Sequence, residues 1–402
     1  MKAAQITQYS KNINITVNDI PIPEIGDYDI LIRIKAAAVN PVDILNLTGA
    51  VRLIQDYKMP LTLGNECAGI VEKVGRCVKK FKTGDRVYSR LPVSKIGAFA
   101  EYVAIHENAA AHMPDDFDFT VAAAIPLTVL TAYQAITEEL NAKPGETVFF
   151  PGGSGSFGQM AVPIAKSLGL RVIVSGNSRA KDVILSAGAD QYIEYTKEDY
   201  WKILSDVDYV IDALGEKEFT RELSVLKKGG ILLSLRTGPN KAFAEKNRFS
   251  FAKRTLFALA GSKYDKQARQ QGKEYRFLFV RADGIQLEKI THIVETEHIV
   301  PQIDHRILIF LRSTMHSRTP EAFLPRRGRM YPQGRASAFF HWPRLRSAGG
   351  FILEGDWTPT KTKLSQLTTY RGGSLIFFQD EHELISESSD SGNRREGQRT
   401  VP

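Results

Sequence analysis

The chain has 402 residues, of which 43% are hydrophobic and 24% charged, enough for two or three domains with substantial cores. Two cysteines exclude a disulfide framework and favour a reducing compartment, so we expect a cytoplasmic protein. We expect neither a membrane span nor a secretory leader, because no apolar run approaches about 18 residues and the first residues already form a strand pattern.

The first part of the chain has the pattern of short strands separated by turns. Apolar or alternating runs predict strands at 13–17, 29–35, 68–74 and 97–104, with a turn and strand at 81–88. This pattern predicts a β-rich, barrel-like domain over residues 1–121.

From residue 122 onward, helix and strand patterns alternate. The predicted strands are 147–150, 171–176, 191–195, 207–214, 230–235 and 277–282. Such alternation is typical of a doubly wound parallel sheet with helices on both faces. We assign 122–270 to this domain and 271–306 to its last strand and the return to the barrel domain.

A glycine motif lies between the first predicted strand of this sheet and an apolar helix. In this context Gly-x-Gly-x-x-Gly is typical of a dinucleotide site, because it permits a tight turn and close approach to a pyrophosphate. The following helix would direct its free N–H groups at the phosphate; the alternative is a purely structural turn. The predicted pyrophosphate contacts are Gly153, Gly155, Ser156, Phe157 and Gly158.

The next strand ends where the ribose of a dinucleotide is read. No carboxylate precedes Asp182 there, and hydroxyl, amide and cationic side chains would hold a 2′-phosphate. NADPH is therefore expected over NADH. The predicted contacts are Ser175, Asn177, Ser178, Arg179 and Lys181, although the two cations also fit a solvated helix start. Loops after the later strands add Leu214, Gly215, Thr237 and Gly238.

Six segments, in order along the chain, carry a family resemblance. They resemble the zinc-independent branch of the medium-chain dehydrogenase/reductase superfamily, close to quinone oxidoreductases and NADPH-dependent double-bond reductases. The resemblance implies an α/β plus β architecture: a GroES-like β-barrel domain and a Rossmann domain, with the active site in the cleft between them. The segments are 36–43, 63–71, 81–87, 97–103, 122–133 and 188–190.

The resemblance also bears on metal. Zinc-dependent members carry Cys or His at positions that correspond here to 39–43 and to the middle of Gly64-Asn65-Glu66, and neither residue type is present. Two cysteines cannot supply a four-thiolate structural site. A quinone or an α,β-unsaturated carbonyl can accept hydride without a Lewis acid, so we expect such a small-molecule substrate.

The resemblance places Asn40 and Thr128 around the nicotinamide and its ribose, and Tyr195 near the adenosine. The substrate-side candidates are Asn40, Asp43 and Tyr102. Asp43 fits a helix N-terminal carboxylate equally well. No general acid is evident, and solvent is a sufficient proton source.

Residues 307–402 depart from the family pattern. They hold 12 Arg and 2 Lys, whereas 1–306 hold 15 Arg and 24 Lys. Either a partner-binding extension or a shifted reading frame near Arg306 explains the switch. We expect a largely disordered tail, a barrel domain with an unpaired edge, and a protease-resistant fragment ending near Arg306.

Three function classes follow. The first is an NADPH-dependent quinone or enone reductase, with a homodimer as a candidate assembly. The second is a non-catalytic NADPH-binding protein, and the third a zinc alcohol dehydrogenase, which the absent ligands disfavour. Nucleic acid is not an expected partner: the tail mixes 14 basic with nine acidic residues, and the whole chain has a net charge of only +8.

Overall fold

The computed structural model describes residues 1–12, 14–301, 303–308 and 374–378. Two sheets of mainly antiparallel strands belong to a barrel-like domain. One parallel sheet belongs to a Rossmann-type domain. The expected fold class, α/β plus β, is confirmed.

The barrel-like domain contains most of the N-terminal strands. A three-stranded sheet has the order β2-β1-β4, and in the larger sheet β3 pairs with β5 and β7, while β6 pairs with β5 and β8. The strands are β1 (Lys2–Ile6), β2 (Thr16–Asp19), β3 (Asp29–Val39), β4 (Leu61–Thr62), β5 (Glu66–Val74), β6 (Arg86–Arg90), β7 (Tyr102–His106) and β8 (Ala110–His112).

The second domain has six parallel strands in the order β11-β10-β9-β12-β13-β14. The first strand in sequence, β9, lies between β10 and β12, so the strand order reverses beside it, which is where ligands bind in such sheets. The strands are β9 (Thr147–Phe150), β10 (Arg171–Gly176), β11 (Gln191–Glu194), β12 (Val207–Asp212), β13 (Leu226–Ser234) and β14 (Glu274–Phe277).

Helices cover the parallel sheet and join the domains. None within the described ranges combines the length and apolarity required to cross a bilayer. They are α1 (Pro41–Thr48), α2 (Phe119–Ala123), α3 (Pro126–Gln134), α4 (Ser156–Ser167), α5 (Lys181–Ser186), α6 (Tyr200–Ile203), α7 (Phe219–Val225), α8 (Lys241–Lys246), α9 (Phe251–Gln270) and α10 (Gly284–Thr296).

Two C-terminal strands correct the expectation of an unpaired barrel edge. β15 (Ile303–Leu308) runs parallel to β16 (Ser374–Phe378), and β16 pairs antiparallel with β3. The apolar run Ser-Leu-Ile-Phe-Phe favours a strand. Sequence analysis missed this strand because of the polar composition around it. The expected disorder and protease sensitivity of 309–373 and 379–402 lie outside the described residues.

The domains are joined through α3. The side-chain amide of Gln134, its last residue, takes both backbone hydrogen bonds of Arg281: Oε1 accepts from N–H and Nε2 donates to C=O, each at 3.1 Å. The Arg281 guanidinium also holds Glu138 in a bidentate ion pair at 2.6 and 2.7 Å. The chain leaving β14 is thereby fixed to α3 as it returns to the barrel domain.

Candidate dinucleotide site and active-site cluster

The turn between β9 and α4 is a candidate phosphate site. Gly155 is the N-cap residue of α4 and, as a glycine, makes no side-chain cap hydrogen bond. Its first-turn N–H groups, which include those of Ser156 and Phe157, therefore face an open approach. Free N–H groups and the positive end of the helix dipole together favour an anion.

The three glycines of the motif have different roles. A Cβ on Gly158 would lie 1.9 Å from the carbonyl oxygen of Gly153, and a Cβ on Gly153 would lie 2.8 Å from Val174 Cγ1. Packing within the protein therefore requires both. A Cβ on Gly155 would meet no atom of the described residues within 4 Å, so these residues leave the space beside it available to a ligand.

Two residues predicted to contact the 2′-phosphate, Ser175 and Asn177, also stabilise the loop. Ser175 is only 3% exposed, and its Oγ accepts a hydrogen bond from Gly152 N at 3.2 Å. Asn177 donates to Ser154 Oγ and caps Ala180 N, each at 3.2 Å. A buried hydroxyl needs a partner, and Ser175 accepts a hydrogen bond from the glycine turn; its contact with a 2′-phosphate stays a prediction.

The remaining predicted contacts form a cationic rim at the end of β10. Ser178 and Arg179 are exposed, and Lys181 is half-buried at the start of α5. Tyr195, directly after β11, is 59% exposed. Among the described residues, the one charged partner of these side chains is Glu194, whose Oε1 lies 3.9 Å from Lys181 Nζ.

Sequence reasoning missed Glu194. It is the last residue of β11 and lies opposite Gly176, the last residue of β10, in the parallel register. Its side chain is 10% exposed, and Lys197 Nζ lies 2.9 Å from its Oε2. Inspection of β10 alone could not identify this carboxylate, because it lies on the neighbouring strand. A prediction that β10 and β11 pair in parallel could have identified it.

Loops after β12 and β13 are tied together by Asp212. Its Oδ1 accepts hydrogen bonds from Leu214 N and Gly215 N, both at 2.7 Å. Its Oδ2 accepts from Ser234 Oγ at 2.6 Å and Thr237 Oγ1 at 2.9 Å. The buried carboxylate of Asp212 therefore fixes the conformation of both loops that are predicted to contact the ligand.

On the barrel side, Asn40 and Glu66 form a hydrogen-bonded pair. Asn40 Nδ2 donates to Glu66 Oε1 at 2.6 Å, and Leu127 N donates to Glu66 Oε2 at 2.7 Å. Leu127 lies in the first turn of α3, next to the predicted ribose contact Thr128. Asn40 and Thr128, expected around the nicotinamide, are thus brought together by Glu66.

Asp43 lies directly behind this pair. Its Oδ2 accepts from Asn40 N at 2.7 Å at the start of α1, and its Oδ1 accepts from Asn65 Nδ2 at 2.5 Å. The structure therefore supports the helix-terminal alternative for Asp43. Burial raises the pKa of Asp43 to about 6 and that of Glu66 to about 8.

A buried guanidinium completes the cluster. Arg90 is 1% exposed and lies opposite Glu66 in the β5–β6 register. Its Nη1 donates to the carbonyl oxygen of Leu91, and its Nε has no hydrogen-bond partner among the described residues. Burial lowers its pKa to about 10, against the opposing fields of Tyr57, Glu66 and Asp43. In the sequence, an arginine at an inward position of an apolar strand is the feature that could have identified this buried residue.

Tyr102 does not join the cluster. It pairs with Arg33 in the middle of β3, seven residues before Asn40. At about 3.3 Å per residue, this separation is roughly 20 Å along the strand. The predicted substrate-side role of Tyr102 is therefore not supported by its position.

The polar cluster occupies the positions at which zinc-dependent relatives are expected to bind metal. Asn40 and Asn65 bind Glu66 and Asp43 through their amides, as described above. Within the residues that the structure describes, no group of three or more His, Cys, Asp and Glu side chains could hold a metal ion. The side-chain amides of Asn40 and Asn65 supply neither the thiolate nor the imidazole of a typical zinc site, and the carboxylates of Asp43 and Glu66 already accept hydrogen bonds within the cluster.

Comparisons with known proteins agree with this architecture. Family models described as "Alcohol dehydrogenase GroES-like domain" and "Zinc-binding dehydrogenase" match residues 26–115 and 157–270. The structure of the quinone oxidoreductase from Coxiella burnetii superimposes with a TM-score of 0.65 at 25% identity, covering 77% of this chain and 92% of that one.

Two curated relatives extend the comparison. The 2-methylene-furan-3-one reductase of Solanum lycopersicum is 34% identical over 244 residues, which cover 58% of this chain and 62% of that protein. The mitochondrial NAD(P)H oxidoreductase RTN4IP1 of Mus musculus is 31% identical over 351 residues, covering 81% of this chain and 85% of that protein. The chain belongs to the medium-chain dehydrogenase/reductase superfamily, in its quinone oxidoreductase-like branch.

Proposed function

We propose that this protein is an NADPH-dependent, metal-independent reductase of quinones or α,β-unsaturated carbonyl compounds. The observation that carries the proposal is the uncapped N-terminus of α4, which follows Gly155 at the switch point of the parallel sheet. The empty space beside Gly155 fits a pyrophosphate, and the rim of Ser178, Arg179 and Lys181 suits a 2′-phosphate.

Bound NADPH would supply a hydride to the acceptor. The chain's task is to hold the nicotinamide and the acceptor in register and to exclude water. Asn40 is suited to this task, because its side chain is fixed by Glu66 at 2.6 Å and its backbone by Asp43 at 2.7 Å. We assign Asp43 and Glu66 as positioning residues, since both are buried and hydrogen-bonded within the protein.

The acceptor class follows from the chemistry of the cluster. Without a Lewis acid, a simple ketone or alcohol is poorly activated, whereas a quinone or enone is already electrophilic. The names of the relatives agree: one acts on a methylene-furanone, which is an enone, and one is a quinone oxidoreductase. The hydride from bound NADPH and a proton from solvent would together complete the two-electron reduction of the acceptor.

A turnover panel tests the proposal. Purified protein is assayed for NADPH oxidation with a benzoquinone, an alkyl enal and a saturated aldehyde, and each assay is repeated with NADH. We expect turnover of the quinone or the enal, none of the saturated aldehyde, and a preference for NADPH. Tight NADPH binding without turnover of any acceptor would favour the non-catalytic alternative.

A further inference from the structure

We propose that Glu194 sets the balance between NADPH and NADH, and that its carboxylate keeps this chain from using NADPH exclusively. The inference rests on the proposed dinucleotide site. It concerns one specificity-determining residue on β11, outside the glycine loop and the cationic rim.

The position of Glu194 follows from the sheet. In this fold the ribose that carries the 2′ group lies at the end of the second strand, here Gly176 of β10. Parallel strands bring their carboxyl ends to one edge, and Glu194 is registered opposite Gly176. Glycine at 176 is required by packing, because a Cβ there would lie 2.2 Å from the Tyr192 hydroxyl. Residue 176 therefore supplies no carboxylate, and Glu194 brings one to this edge from the adjacent strand.

Glu194 retains the capacity to accept a hydrogen bond. Its Oε2 is buried 2.9 Å from Lys197 Nζ, so a ligand would meet the other oxygen, Oε1, whose distance to Lys181 Nζ is 3.9 Å. A ribose 2′-hydroxyl is a donor that fits such an oxygen. With NADH, Glu194 can therefore contribute a charge-assisted hydrogen bond.

With NADPH the same carboxylate opposes binding. A 2′-phosphate at this edge would be repelled by Glu194 and would compete with it for Lys181, whose Nζ lies 3.9 Å from Oε1. Lys197 offsets the repulsion, since it neutralises Glu194 from the opposite oxygen. Glu194 and Lys197 thus form an opposed pair: they have opposite effects on the selectivity between NADPH and NADH.

The test compares Glu194→Gln with the control Glu198→Gln. Glu198 is exposed and four residues further along, so the control removes one negative charge without touching the proposed contact. Dissociation constants for NADPH and NADH are measured by calorimetry. We expect Glu194→Gln to raise the selectivity for NADPH about tenfold, through tighter NADPH and weaker NADH binding, and the control to change it less than about twofold.

A second variant tests the opposed pair. Lys197→Gln leaves Glu194 without its close ion partner, so selectivity should shift about threefold toward NADH. In a Glu194→Gln background the same change should have little effect. Melting curves at saturating NADPH show that each variant is folded.

Equal selectivity changes in Glu194→Gln and Glu198→Gln would overturn the inference, as would a Lys197→Gln effect that persists without Glu194. The proposed function fails separately. If both dinucleotides bind but no quinone or enone is reduced, the acceptor proposal falls and the role of Glu194 can stand. If neither dinucleotide binds the unaltered protein, both fall.

Discussion

Gly155 and Gly158 lie three residues apart but carry different constraints. Gly155→Val places a side chain in empty space, so the fold should persist while the pyrophosphate is blocked. Loss of one charge-assisted contact, about 1.5–3 kcal/mol, predicts about 10- to 150-fold weaker NADPH binding at an unchanged melting temperature. Calorimetry and a melting curve measure the two quantities.

Gly158→Val is the matched control, because its Cβ would lie 1.9 Å from the Gly153 carbonyl oxygen. This variant should lose stability as well as binding. Retention of NADPH affinity in Gly155→Val would mean that the ligand approaches the sheet elsewhere.

Glu66 predicts a pH dependence of stability. Its pKa rises from 4.5 to about 8 on burial. Between these values the folded chain holds a proton that the unfolded chain has released, so the free energy of unfolding falls as pH rises through this window. We expect the melting temperature of Glu66→Gln to decline less than that of the unaltered protein between about pH 5 and 8.

Glu72→Gln is the control for this measurement, since Glu72 is on the same strand and exposed. Its melting temperature should follow the unaltered protein across the pH range. Parallel curves for Glu66→Gln and the unaltered protein would show that Glu66 titrates normally.

At the scale of elements, β16 is the feature with the clearest consequence for stability. It pairs Leu375–Phe378 with Ala36–Val39 of β3, the strand that leads into Asn40. A chain ending at residue 308 should therefore melt lower than a chain ending at 380. If about 1–2 kcal/mol is lost, roughly 2–4 °C per kcal/mol gives a drop of several degrees. Identical melting temperatures would show that this pairing contributes nothing.

Sequence patterns predicted elements best where the local signal and the tertiary environment agree. β9 and β10 have the predicted bounds, because buried parallel strands are continuous apolar runs. β14 begins three residues before its prediction, since pairing with β13 starts at the polar residue Glu274. The cluster of Glu66 with Arg90, and the proximity of Glu194 to Gly176, depend on strand register, which one-dimensional patterns do not contain.

For the whole molecule, the donor chemistry of the cluster predicts the metal content. Purified protein should hold no stoichiometric zinc, because Asn40 and Asn65 stand where metal ligands are expected and already bind carboxylates. Elemental analysis measures the zinc, and reductase activity should be unchanged after treatment with a chelator. Activity that a chelator abolishes and added zinc restores would contradict this prediction.

Both ends of α3 are tied to other parts of the molecule, which affects how the cleft can open. Near its start Leu127 N is bonded to Glu66 of the barrel domain, and at its end Gln134 is bonded to the chain leaving β14. The helix is therefore held by hydrogen bonds at both ends, so the domains cannot slide past one another without breaking one of these bonds. We expect the two domains to move by rotation about α3. Amide hydrogen exchange in α3 should stay slow whether or not a dinucleotide is bound.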